Sequence, residues 1–310
     1  MNKSNIMSDI VKPSVVTIGT FDGVHIGHQK IIQRLIDVAK KNNLDAAILT
    51  FFPHPRMVLQ KEVGIKLINT IEERKEILKS KGIDRLIVHP FTKEFSRLTA
   101  REYVEQILVK QLNAKKIIIG YDHRFGRNRN ADIQDLKALG KTFGFTVEEI
   151  SKQDVEEVAV SSTKIRKAIE AGDIEKANTF LGSSFSLSGK IIKGKSLGRK
   201  LGFPTANLEI KEDYKIIPKN GVYIVQTQLN NAKVYGIMNI GTNPTVGGKV
   251  QTIETYFLNI DQDLYGKELS IQLLKRIRDE KKFDEVEHLV EAMHKDLEET
   301  KTYIQQLKEV

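Results

Sequence analysis

The hydrophobic pattern of the chain changes its period once, and that change constrains the fold more than any other feature. Up to residue 182, short β-branched apolar runs at 15–19, 44–52, 84–91, 115–121 and 146–150 read as strands. Longer amphipathic runs at 28–42, 70–82, 99–113 and 132–144 read as helices. Ile31, Ile32, Leu35, Val38 and Ala39 recur at helical spacing, as one buried stripe requires. Strands joined through helices by short connections predict an α/β, doubly wound parallel sheet, in which ligands sit at the carboxyl ends of the strands. A last short helix, from Gly172-Asp173 to Leu181, leads to a natural boundary at Gly182-Ser183-Ser184. Beyond it the strand-like runs 185–192, 221–229, 233–241, 252–259 and 268–275 follow one another without helices, which predicts an antiparallel β-barrel. From Phe283 onward, Val286, Leu289, Val290, Met293 and Leu297 mark one closing helix. Two domains are expected, 1–182 and 183–310, and 310 residues exceed what one core usually fills.

Charge and cysteine usage narrow the chemistry. The absence of cysteine excludes disulfides, thiolate metal sites and cysteine nucleophiles, and fits a cytoplasmic location. The N-terminal MNKSNIMSDIVKPS lacks the apolar core of a signal peptide. The apolar run around Ala46-Ala47-Ile48-Leu49 is far shorter than the ~20 residues that span a bilayer, so no membrane role is expected. Of the 49 Lys+Arg and 40 Asp+Glu, residues 183–310 hold 19 and 17, so the basic excess lies mainly in the first half. A basic half attracts nucleotides, pyrophosphate or RNA; it is equally the mark of a lysine-rich solvated surface.

Three stretches of the first half carry candidate chemistry. GTFDGVHIGH, residues 19–28, follows the first strand and opens the first helix, placing His25 and His28 on one helical turn around Gly27. Free N–H groups and the positive dipole end at such a turn favour a phosphate. Zinc would need a third ligand, and His54, His89 and His123 stand at no helpful spacing. GYDHRFGR, 120–127, lies at the end of the fourth strand, where its arginines are either site residues or loop charges. SSTKIR, 161–166, precedes a helical run, as an N-cap or as an anion cradle with Lys164 and Arg166. In the second half, Gly189 to Ser196 matches G-x-x-x-x-G-K-S literally. A P-loop opens directly into a helix, however, and Leu-Gly-Arg-Lys-Leu-Gly-Phe-Pro follows here. The turn is retained only as a possible phosphate cover.

GTFDGVHIGH, GYDHRFG and SSTKIR, in this order, resemble the adenylyltransferase half of bacterial bifunctional riboflavin kinase/FAD synthetases. The resemblance implies a Rossmann-like nucleotidyltransferase domain in which His25 and His28 are catalytic on the phosphates of ATP. It places Gly19, Phe21, Gly27, Ser162, Thr163 and Arg166 around that nucleotide. TFFPHPR, 50–56, resembles the flavin-side loop, which gives Pro53, His54 and Arg56, together with Asp122 and Phe125, to the flavin substrate. The family usually has an aromatic residue at position 123 and a glycine at 130, where this chain has His123 and Asn130. GRKLGFPTANLEI, GVYIV, MNIGTNPTVGG, IETYFLN and DLYGKEL resemble the riboflavin kinase module of the same family. That resemblance assigns Gly194, Gly198, Gly202, Thr205 and Asn207 to ATP and its phosphates. It also implies that Thr205 and Asn207 bind Mg2+ and that Glu254 is the catalytic base.

The resemblance therefore implies two reactions: riboflavin and MgATP give FMN, and FMN with a second ATP gives FAD and pyrophosphate. The expected partners are these small molecules, with no nucleic acid and no membrane. Two other readings stay open. Aminoacyl-tRNA synthetases also carry H-x-G-H on a strand-to-helix turn, although no second domain resembling an anticodon binder appears. A flavin or nucleotide sensor without turnover is the non-enzymatic alternative.

Overall fold

The computed structural model describes residues 11–59, 64–151, 160–194, 201–245, 248–260 and 262–309. The chain divides into two compact units, Met1–Ile65 with Ile71–Ser161, and Lys66–Thr70 with Ser162–Val310. The first contains strands β1 (Ser14–Ile18), β2 (Asp45–Phe52), β3 (Arg85–Pro90), β4 (Ala114–Gly120) and β5 (Thr146–Ile150). All pair in parallel, in the order β3-β2-β1-β4-β5. Side chains alternate between the faces. Val15, Ala46, Ile48 and Ile118 pack with Leu35, Ile36 and Leu78 from helices α1 (Ile26–Asn42) and α3 (Ile71–Ser80). Val16, Ala47, Leu49, Ile117 and Ile119 pack with Tyr103, Leu108 and Leu136 on the other face. Those come from α4 (Ala100–Tyr103), its continuation Val104–Gln111, and α5 (Ile133–Phe143). Both faces are covered, as a parallel sheet requires. The continuation of α4 is π-helical, where periodicity predicts one α-helix over 99–113. The short α2 (Pro55–Leu59) follows β2.

In the second unit, a closed barrel runs in the order β10-β7-β6-β11-β8-β9 among the described residues. Its strands are β6 (Ser186–Ile192), β7 (Thr205–Glu209), β8 (Gly221–Leu229), β9 (Ala232–Thr245), β10 (Gly248–Phe257) and β11 (Glu268–Arg278). Strand β7 is an addition to the five that patterning predicts. Five residues after Gly202-Phe203-Pro204 give too short a run to stand out, although Ala206 and Leu208 alternate inward. Two helices precede the barrel, α6 (Ser162–Ala171) and α7 (Ile174–Leu181). Asn178 ties α7 to the barrel, donating to Leu273 O at 2.9 Å and accepting from Phe185 N–H at 2.7 Å. The closing helix α8 (Val286–Glu309) is anchored by Arg278 of β11, whose guanidinium grips buried Asp296 at 2.8 and 2.7 Å. Lys66–Thr70 also belongs here: Leu67 bridges Lys215, and Lys215 Nζ donates to Ile68 O at 2.7 Å.

Candidate active sites

Strand order places the first site. Leaving β1, the chain winds outward through β2 and β3 on one side, then returns to β4 and β5 on the other. The crevice between the carboxyl ends of β1 and β4 is the topological switch point. GTFDGVHIGH leaves β1 there, GYDHRFG leaves β4, and TFFPHPR leaves the adjacent β2. Gly19 ends the strand, its N–H donating to Leu49 O at 3.1 Å. The chain then turns tightly, with Phe21 at φ 46° and Val24 at φ 42°, both buried. His25 is the N-cap of α1: its Nδ1 accepts from the His28 N–H at 3.3 Å. The two imidazoles stack at 3.7 Å, nearly parallel, and His28 also meets the Phe21 ring at 5.0 Å.

These histidines are neutral donors near pH 7. Burial pushes His25 down to about 4 against the pull of the Asp22 carboxylate. Burial, then His25, then the Arg74 guanidinium hold His28 well below its ordinary value. A neutral His25 whose Nδ1 accepts carries its proton on Nε2. His28 Nδ1 is buried without a hydrogen-bond partner. Among the described residues no three of His, Cys, Asp or Glu converge as a metal site, and zinc has no ligand set there.

The other sequence-derived residues of this half fall into place unevenly. His54 is buried and accepts from Arg56 N–H at 3.2 Å, shaping the turn at the end of β2, while Pro53 and Arg56 are exposed. Asp122 is exposed and Phe125 is buried against Tyr103 at 5.7 Å. Phe125 and Ala131 exchange backbone hydrogen bonds of 3.1 and 3.2 Å, closing the loop between them. Its positive-φ residues other than Gly126 are Asn128 and Arg129, whereas Asn130 has an ordinary φ of −77°. Ser162 and Thr163 open α6 with Arg166 one turn on, and all three belong to the second unit. Sequence reading missed Arg74 on α3. Its guanidinium is buried 3.4 Å from Asp22 and 3.4 Å from Thr50 Oγ1. A lysine- and glutamate-rich helix gives no sign of which charge turns inward.

The second site lies on the outer face of the barrel. In β10, Ile253, Thr255 and Phe257 point into the core, which turns Glu254 outward. Antiparallel register sets Asn207 of β7 and Asn239 of β9 on either side of Glu254. Thr205 Oγ1 donates to Glu254 Oε2 at 3.3 Å. Asn239 is a second omission of the sequence reading, since an asparagine inside a strand has no distinctive signature. Gly194 packs so closely over Asn207 that a Cβ would stand 2.1 Å from its amide nitrogen. Gly202 turns the chain toward β7 at φ 83°. Gly198, with Lys195 and Ser196 of the P-loop-like string, lies outside the described residues. The first glycine of that string, Gly189, sits within β6, where a Cβ would stand 2.2 Å from Glu209 O. Close strand approach, not a phosphate loop, requires it.

A hydroxyl and an amide on β7, beside the Glu254 carboxylate, fit magnesium, a hard cation that takes one or two protein oxygens and completes its shell with water and phosphate. Neutral imidazoles at a switch point in one unit and oxygen donors in the other define a nucleotide-handling transferase. Comparison with known proteins gives its family. The FAD synthetase family matches residues 7–164 and the riboflavin kinase family residues 181–304. Bifunctional riboflavin kinase/FMN adenylyltransferases are similar along the chain. The protein from Buchnera aphidicola subsp. Schizaphis graminum is 39% identical, covering 94% of each chain. That from Listeria monocytogenes is 36% identical over 95% of this chain and 94% of its own. A crystal structure from Streptococcus pneumoniae described as a macrolide-efflux protein has a TM-score of 0.83 at 32% identity, covering 93% and 94% of the two chains. No helix among the described residues here is long and apolar enough to cross a membrane. The chain belongs to the bifunctional riboflavin kinase/FMN adenylyltransferase family.

Proposed function

We propose that the protein makes FAD in two steps at two sites, with residues 1–182 assigned to adenylyl transfer and 183–310 to riboflavin phosphorylation. The observation that carries this reading is the coexistence, in separate compact units, of the stacked His25–His28 pair and the Glu254 row. At the barrel, Glu254 takes the proton from the ribityl hydroxyl of riboflavin as that oxygen attacks the γ-phosphorus of ATP, giving FMN and ADP. Thr205 and Asn207 are the residues that would hold Mg2+, which when bound would neutralise charge on the phosphates. The Thr205 hydroxyl, donating to Oε2, orients the carboxylate and leaves its other oxygen for the substrate. Gly194 and Gly202 line the path of the phosphates.

At the switch point the phosphate of FMN attacks the α-phosphorus of a second ATP, releasing pyrophosphate. The nucleophile is already an anion, so the chain supplies position and donors rather than a base. The imidazoles of His25 and His28 donate to the phosphates, with the positive end of α1 beneath them; membership of the family assigns Ser162, Thr163 and Arg166 to the same nucleotide. Gly19, Phe21 and Gly27 shape the nucleotide cradle; exposed Pro53, Arg56 and Asp122 are assigned to the flavin, with buried His54 and Phe125 holding the loops that carry them. The test is incubation of purified protein with riboflavin and MgATP, followed by chromatographic separation of the flavins. Both FMN and FAD are expected, and both should vanish when a chelator removes magnesium. FMN without FAD limits the error to adenylyl transfer. A product-free run across magnesium concentrations and flavin redox conditions overturns the reading.

A further inference from the structure

A buried charge pair beneath the histidine turn has no explanation in folding alone. Arg74 is 1% exposed and Asp22 not at all. On α3, Arg74 stands one turn before fully buried Leu78, on the face that packs against the sheet, where an apolar side chain would serve the core. Replacing a buried ion pair with well-packed apolar residues is often neutral or stabilising. The guanidinium instead joins three segments of the site. Nη2 reaches Asp22 Oδ1 at 3.4 Å within the turn, and Nη1 donates to Thr50 Oγ1 at 3.4 Å on β2. Thr50 Oγ1 in turn donates to Thr20 O at 3.1 Å. Between Thr20 and His25 the chain holds an aromatic and a β-branched residue in the left-handed region, a conformation that persists only where its surroundings impose it.

We propose that Arg74 is a positioning residue for adenylyl transfer: by clamping Asp22 and Thr50 it fixes the turn that aims His25 and His28 at the phosphates. This rests on the adenylyl-transfer function proposed above. Full-length Arg74→Met, Arg74→Lys and the double variant Asp22→Asn/Arg74→Met separate position from stability. Three quantities are measured: kcat and KM for FAD formation from FMN, riboflavin phosphorylation, and the denaturation midpoint. Arg74→Met should lower kcat for FAD formation by ~10², the scale of a displaced catalytic group, with KM changed by less than about threefold. Arg74→Lys keeps a charge beside Asp22 but cannot bridge to Thr50, so it should recover only part of the rate. The double variant leaves no unpaired buried charge and should regain stability without regaining kcat. Riboflavin phosphorylation should be unchanged in all three. If Arg74→Met does not fold, the other two variants decide. FAD formation that returns in step with stability, or a folded Arg74→Met with wild-type kcat, overturns the proposal while leaving the function intact. Wild-type protein that makes no FAD overturns the functional reading, and this proposal with it.

Discussion

Histidine shows how burial rewrites a residue's chemistry here. His25 and His123 are both lowered to about 4, in each case chiefly by burial, with carboxylates nearby acting in the opposite direction. Their unfolded counterparts titrate near 6.5. Between those values the unfolded chain binds protons that the folded chain refuses, so stability is intact above pH 6.5 and is lost as pH falls toward 4. At pH 5 each of the two should have withdrawn about 2 kcal/mol relative to pH 7. His123→Phe keeps a ring beside Phe125, which His123 faces at 6.0 Å, and removes one of these contributions. Urea unfolding at pH 7 and pH 5 should therefore show a loss between the two pH values that is smaller in the variant by about 2 kcal/mol. Equal losses would mean that His123 is not buried in its neutral form. The same physics separates what the sequence announced from what it concealed at this scale. That His25 and His28 lie together follows from spacing; that they are neutral, stacked donors depends on the turn between Phe21 and Val24.

Among the elements, close approach between a loop and a strand decides more than propensity does. Gly194 follows β6 and lies against the Asn207 amide on β7. Gly194→Ala would force that amide aside and with it a proposed magnesium and phosphate donor, whereas a flexible side chain gives way at small cost to folding. Riboflavin phosphorylation should fall at least about tenfold while the unfolding midpoint moves by less than ~1 kcal/mol in free energy. Unchanged phosphorylation would remove Asn207 from the phosphate site. The long β-branched and amphipathic runs were legible because periodicity survives packing: β8 spans Gly221–Leu229 as expected, and α1 begins immediately after His25. Strand β7 was hidden by its shortness and flanking Pro204. The π-helical stretch Val104–Gln111 was hidden because its apolar spacing still suits an α-helix. Candidate site residues were legible where several sat in one motif. Arg74 and Asn239, which join their sites only through tertiary placement, were not.

For the molecule as a whole, the question is whether two chemistries run independently in one chain. Glu254 and its neighbours Asn207, Asn239 and Thr205 lie entirely in the barrel unit, while His25 and His28 lie entirely in the sheet unit. Glu254→Gln keeps the size of the side chain and can still accept from Thr205, but it cannot take a proton from an attacking hydroxyl. A general base is worth ~10²–10⁴, so riboflavin phosphorylation should slow by that factor. The half-exposed position on the outer face of β10 makes the change mild for folding. Supplied with FMN, the variant should make FAD at close to the wild-type rate; supplied with riboflavin, it should make FAD only as fast as FMN appears. Both rates come from one chromatographic time course. Wild-type phosphorylation would reduce Glu254 to an outward strand charge. Loss of FAD synthesis from FMN would mean that the two reactions share machinery, and the assignment of 1–182 and 183–310 to separate activities would have to be withdrawn.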